Sequence, residues 1–196
     1  MPTDVDMASN ALLLIGDEPI SSLTSGTGAG FEVAAAIYPE TYKQVLSEHP
    51  WSFALKEQVL SKLTQTPDDR TGYSYAYQIP TDLIRLWAIF EHSNYVIIGD
   101  LLYSNANELM ARYVYKVTET SLPPHFVVAL QYKLASDFAN SITESTSKAE
   151  YYEAKYRVAI AQARSIDSQG RPQESIIDKP FVDVRFSGRG PYSRWY

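Results

Sequence analysis

Between Pro50 and the Pro123-Pro124 pair, the spacing of apolar residues changes from the three-and-four of a helix to the two of a strand. On both sides of that window the helical spacing returns. A chain of 196 residues can bury one sizeable core. The change of period predicts helices packed on one another, interrupted by a sheet. The expectation is a mainly α protein: an antiparallel bundle of about four helices, with a small antiparallel β insertion at about 57–117. The body is expected to span 1–170 and an extended C-terminal tail 171–196.

Thr3 with Asp6 three residues later predicts a capped helix with Val5, Ala8, Leu12 and Ile15 on its buried face, stopped by Gly16. After a Gly/Ser/Thr loop, a second helix is expected from about Phe31 to Glu48, with Ala34, Ile37, Tyr38, Thr41 and Val45 on one stripe. Pro39 predicts a kink or a late start. Pro50 ends it, and Trp51 and Phe53 are expected to anchor the core. In the window, Tyr73 to Ile79 alternates as a strand would, and Leu83 to Phe90 is a second strand candidate. Tyr95-Val96-Ile97-Ile98 and Leu101-Leu102-Tyr103-Ser104 flank Gly99-Asp100, a two-residue hairpin signal. Ala111 to Val117 alternates again. Beyond the proline pair, Val127, Leu130, Leu134, Phe138 and Ile142 form a long helical stripe. A last helix is expected to open on a Ser147/Glu150 capping box, bury Tyr152, Tyr156, Ala159, Ile160, Ala163 and Ile166, and end at Gly170 and Pro172.

Net charge is −6, unevenly placed. Residues 170–196 carry five bases against three acids, a net of +2, leaving −8 on residues 1–169. An acidic body argues against wrapping nucleic acid, which needs an excess of Lys and Arg. The tail combines Arg185, Arg189 and Arg194 with Tyr192, Trp195 and Tyr196, and Val182, Val184 and Phe186 alternate with Asp183 and Arg185. It reads as a disordered end or as a segment that orders on a partner. Fifteen tyrosines suit either interfaces or a Tyr-rich core. No apolar run approaches the roughly 18 residues of a membrane span, and Met1-Pro2-Thr3-Asp4 lacks a basic signal-peptide start. Zero cysteines excludes disulfides and thiolate chemistry.

Catalytic patterns are weak. Gly26-Thr27-Gly28-Ala29-Gly30 leads into a helix, but a phosphate cradle needs a preceding strand. His49, His92 and His125 lie in different elements without a partner ligand at helical spacing. No serine sits in a nucleophile elbow. Glu48 and Glu57 flank the Trp51/Phe53 anchor, which leaves a carboxylate pair for glycan cleavage conceivable. The expectation is no catalytic residue, no cofactor and no metal.

Three phrases carry a family resemblance. Ile15-Gly16-Asp17-Glu18-Pro19-Ile20-Ser21-Ser22-Leu23 closes the first helix. Ala34-Ala35-Ala36 through Leu46, followed by Trp51-Ser52-Phe53, forms the second phrase. Tyr77-Gln78-Ile79-Pro80-Thr81-Asp82 is the third. Together with the order of elements, they resemble the tail tubular protein A family, the head-to-tail adaptors (gatekeepers, connectors) of short-tailed, T7-like phages. The resemblance implies a non-enzymatic virion protein of the tail and neck, assembled in the host cytoplasm. It implies a dodecameric homo-oligomeric ring beneath the portal protein, with the tail nozzle (tail tubular protein B-like) on the opposite face and a tail fibre as a further contact. DNA would pass through the lumen during packaging and ejection without specific binding, and no membrane is involved.

The C-terminal tail would grip the portal. By composition, Val182, Val184, Arg185, Phe186, Arg189, Tyr192, Arg194, Trp195 and Tyr196 are the candidate portal contacts. The Gly99-Asp100 hairpin is the candidate nozzle contact. Two alternatives stand beside this reading: a virion-associated cell-wall glycosidase, and a DNA-binding module using the basic tail.

Overall fold

The structure, a computed structural model, describes residues 2–64, 67, 72–90 and 94–170. Four α-helices and two small antiparallel sheets make a mixed α/β protein. The expected four helices and the antiparallel β region between the second and third are present, and the added strands at Leu55–Val59 and Ser61–Lys62, which no apolar alternation announces, complete two sheets and make the protein mixed rather than mainly α.

Helix α1 (Asp4–Ile15) is opened by a capping box: the Thr3 side chain accepts the Asp6 N–H, and Asp6 accepts the Thr3 N–H. Gly16 closes it at φ +89°, the left-handed conformation that costs glycine least. The Asp17–Ile20 segment then folds back onto the helix, where the Ser9 hydroxyl donates to the Ile20 carbonyl at 2.7 Å and accepts its N–H. Helix α2 (Ala29–Ser47) runs through Pro39, so of the kink or late start expected there the late start does not occur. A single 3₁₀ turn at Ser52–Ala54 follows, with Trp51 fully buried and edge-on to Phe126.

Helix α3 (Pro124–Ile142) begins with proline at its first position, where the missing N–H costs nothing. It packs against α1, α2 and α4 (Thr146–Gln169). The cap of α4 is Ser145, which accepts the Lys148 N–H, rather than the expected Ser147. The start therefore lies two residues earlier than the capping-box pattern indicates. One apolar core gathers the inner faces of all four helices with Trp51, Val114 and Val117.

Between α2 and α3 the chain makes seven strands among the described residues: β1 (Leu55–Val59), β2 (Ser61–Lys62), β3 (Tyr75–Gln78), β4 (Leu83–Ile89), β5 (Tyr95–Ile98), β6 (Leu101–Ser104) and β7 (Met110–Tyr115). One sheet has the order β1-β7-β4, the other β2-β3-β6-β5, all pairs antiparallel. A second core, built from Leu60, Tyr77, Leu102, Leu109, Ala111 and Tyr113, draws on both sheets. Tyr73 lies outside the strand expected for it, since β3 starts at Tyr75.

The Tyr77-Gln78-Ile79-Pro80-Thr81-Asp82 phrase is where the chain leaves one sheet for the other. Pro80 cannot donate to a ladder, and its carbonyl accepts the Leu83 N–H to make the turn into β4.

Candidate functional site

The outer face of the α3–α4 pair carries exposed large apolar residues. Helix α4 packs on α3 and buries Tyr156, Ile160, Ala163 and Asp167, one residue per turn. Its opposite stripe presents Tyr151 and Val158, 56% and 60% exposed, with Ala154 between them. Val128 and Tyr132 of α3 complete an apolar groove of about 480 Å³. Tyr151 lies edge-on to Tyr152, and the Lys155 ammonium sits 5.4 Å from the Tyr151 ring. Tyrosine is one of the residue types that dominate interfaces. Ile166 was expected in the core but is 49% exposed, and Asp167 takes the buried position instead. Helical spacing permits either, and the bonds Asp167 makes decide.

Asp167 closes a polar clamp at the end of α4. Its carboxylate accepts the Ser52 N–H at 3.0 and 3.1 Å and the Ser52 hydroxyl at 2.6 Å, with His49 Nε2 at 3.6 Å. One turn back, Glu48 accepts the Tyr156 hydroxyl at 2.7 Å and Arg164 Nη2 at 2.6 Å. Burial, reinforced by this bond to Glu48, raises the Tyr156 pKa well above that of an ordinary phenol. Between α3 and α4, Lys133 bridges Asp137 at 3.0 Å and Glu153 at 3.3 Å. Burial alone would lower its pKa, but the two carboxylates outweigh that and raise it.

A third polar junction ties the turn into β4 to the β1–β7 pair of the same sheet. Asp82 accepts the Lys56 ammonium at 2.9 Å and lies 3.1 Å from the Tyr113 hydroxyl. Desolvation works to raise the Asp82 pKa, but the Lys56 and Tyr113 bonds prevail and lower it. This explains the acid at the end of the third sequence phrase: Asp82 holds the corner.

The carboxylates considered for glycan cleavage are each engaged by a different arginine, Glu48 by Arg164 and Glu57 by Arg112 at 2.6 Å. In the glycine-rich loop, the Asp17 carboxylate lies where a side chain on Gly30 would go, 2.6 Å from an ideal Cβ position. The first turn of α2 therefore faces a negative group, which disfavours an anion there. His49 is packed against Trp51, His125 sits at the start of α3, and His92 lies outside the described residues. Among the described residues no group of three His, Asp or Glu side chains is placed to hold a metal, and no helix is long and apolar enough to cross a membrane.

Gly99-Asp100 forms the two-residue turn of the β5–β6 hairpin, with Ile98 paired to Leu101 and Gly99 at φ +61°. Val182, Val184, Arg185, Phe186, Arg189, Tyr192, Arg194, Trp195 and Tyr196 lie outside the described residues. The α3–α4 groove and the Asp167 clamp were missed in the sequence. Tyr151, Ala154 and Val158 recur at helical spacing opposite the core stripe, and that second stripe was the available signal. No family model matches the chain, and a sequence search against curated proteins finds no match.

Proposed function

We propose that the protein is a structural virion component, a head-to-tail adaptor that forms a ring between the portal and the tail nozzle. The observation that carries this reading is the apolar groove of α3 and α4. Its tyrosine and valine knobs around small residues suit helices of one copy packing beside those of the next. In this reading the four helices act as an antiparallel bundle and form the ring wall. Residues 171–196 reach the portal, and the Gly99-Asp100 hairpin meets the nozzle. The sequence phrases support the same reading, since their residues now have structural duties: Gly16 caps α1, Trp51 anchors the core, and Asp82 holds the sheet corner. A body of −8 repeated around a lumen repels phosphate, which favours DNA sliding past over sticking.

Mass photometry of the purified protein, alone and with the portal ring of its phage, tests the proposal. The expected result is a discrete added mass of roughly 265 kDa, about twelve copies of the 22.1 kDa chain. Val158→Glu places a charge in the groove and is expected to abolish that species while leaving the circular dichroism of the monomer unchanged. A monomer that never adds to the portal ring, in wild type and variant alike, overturns the adaptor reading.

A further inference from the structure

Sheet edges expose unpaired N–H and C=O groups, and proteins guard them with charges, bulges or short strands. β2 is two residues long and carries Lys62, β1 carries Lys56 and Glu57, and β4 carries Arg85 and two irregularities in its register. β5 lacks these guards. Tyr95-Val96-Ile97-Ile98 has no charge and no bulge, and among the described residues no strand pairs with its outer edge.

The pairing of β6 fixes which groups of β5 face outward. The Asp100 carbonyl accepts the Ile79 N–H, so the even-numbered residues of β6 bond toward β3 and the odd ones, Leu101 and Tyr103, toward β5. Their partners Ile98 and Val96 are thereby spent on β6, which leaves the N–H and C=O of Tyr95 and Ile97 aimed at the free edge. The side chains of the same two residues share a face with buried Ser104 and Leu102, yet both are 44% exposed.

We propose that β5 pairs antiparallel with β5 of a second copy, with Val96 on the two-fold axis and Tyr95 opposite the partner's Ile97. Residues opposite one another in such a pair face the same side of the sheet, which permits an axis at Val96 or at Ile97. An axis at Ile97 would set Tyr95 against Gly99 in the turn, outside the strand. The axis at Val96 joins the outward groups in both directions and covers each exposed Tyr95 with a β-branched neighbour. Self-complementarity and charge select the occupant. Copies carrying −6 repel one another, and an uncharged strand that matches itself is where they can meet. Four residues a side make a contact of the small, weak class, so the dimer is expected at about 0.1 mM and above. A two-fold contact does not recur within one cyclic ring, so the inference is independent of the adaptor reading.

The chain has no cysteine, which makes single thiols a test of both pairing and register. Across the axis, the two copies of residue 96 lie about 4.5 Å apart at Cα, within disulfide range, whereas those of residue 97 are diagonal at about 7–8 Å. With oxidised glutathione at about 0.1 mM protein, Val96→Cys is expected to cross-link at least about tenfold faster than Ile97→Cys. Random encounter would favour the opposite order, because Ile97 is the more exposed. Sedimentation velocity of the wild type is expected to show a dimer that dissociates on dilution and is lost in Ile97→Lys. Equal or faster linking of Ile97→Cys, linking of neither variant, or a wild-type monomer at every concentration overturns the proposal. A dimer that survives Ile97→Lys but not Val158→Glu overturns it too, by placing the contact in the α3–α4 groove.

Discussion

Asp167 sits in the last turn of α4, where the helix dipole disfavours an acid. It is nevertheless buried, because Ser52 offers it an N–H and a hydroxyl and His49 lies alongside. Asp167→Ala removes the acceptor of a charge-assisted pair and is expected to cost about 1.5–3 kcal/mol in urea unfolding. A loss below about 0.5 kcal/mol would show that water replaces the carboxylate without penalty. Tyr156 gives a pH signature. Its folded pKa is raised above the ordinary phenol value of 10.0, so the stability it contributes is fully present below pH 10 and falls as pH rises beyond it. Tyr38 and Tyr42, raised by burial in the same way, add to that slope. Unfolding midpoints measured between pH 9 and 11 are expected to fall less steeply in Tyr156→Phe than in wild type, and an identical slope refutes the assignment.

Among the elements, α2 carries the clearest local conflict. Pro39 lies mid-helix on the exposed side, where it supplies no N–H to the ladder and crowds the preceding turn. Pro39→Ala is expected to stabilise the protein by about 1–3 kcal/mol, read as a higher thermal midpoint in differential scanning calorimetry. Helix existence and facing were legible wherever a stripe of large apolar residues met a cap, as in α1 with its Thr3/Asp6 box and in α3 with Leu130, Leu134 and Phe138. The β5–β6 hairpin was legible for a similar reason, since Gly99-Asp100 between two apolar runs leaves few other turns. β1 and β2 were not separable as strands. Lys56, Glu57 and Gln58 show no apolar alternation because β1 is an edge strand with most of its residues exposed. The α3–α4 groove was hidden differently. On α4 its residues lie opposite the core stripe, on the face a surface helix ordinarily gives to solvent, so a search for the core period alone passes over them.

At the scale of the whole molecule, the described residues build two cores, one among the helices and one between the sheets. They meet where β7 runs from Tyr113 in the second core to Val114 in the first, since adjacent strand residues face opposite ways. Leu55 pairs with Val114, so the strand that leaves the helices and the strand that returns to them are hydrogen-bonded neighbours. To the four helices, the intervening segment is therefore a loop already tied at its neck. Lengthening or shortening such a loop changes its closure entropy only logarithmically, about 0.6 kcal/mol per doubling. Replacing residues 57–112 with a short glycine-rich turn is expected to leave a soluble protein that keeps its helical circular dichroism and a cooperative melt. Loss of that melt would mean that the sheets brace the helices. The cassette also touches α2 through β4, where Arg85 donates to the Ser47 carbonyl and Ile84 packs on the helical core, so an exchanged sheet has to replace those contacts. Relatives that keep Trp51, Val114 and Phe126 would then be free to carry sheets of other lengths, and so to meet other partners, on the same helical frame.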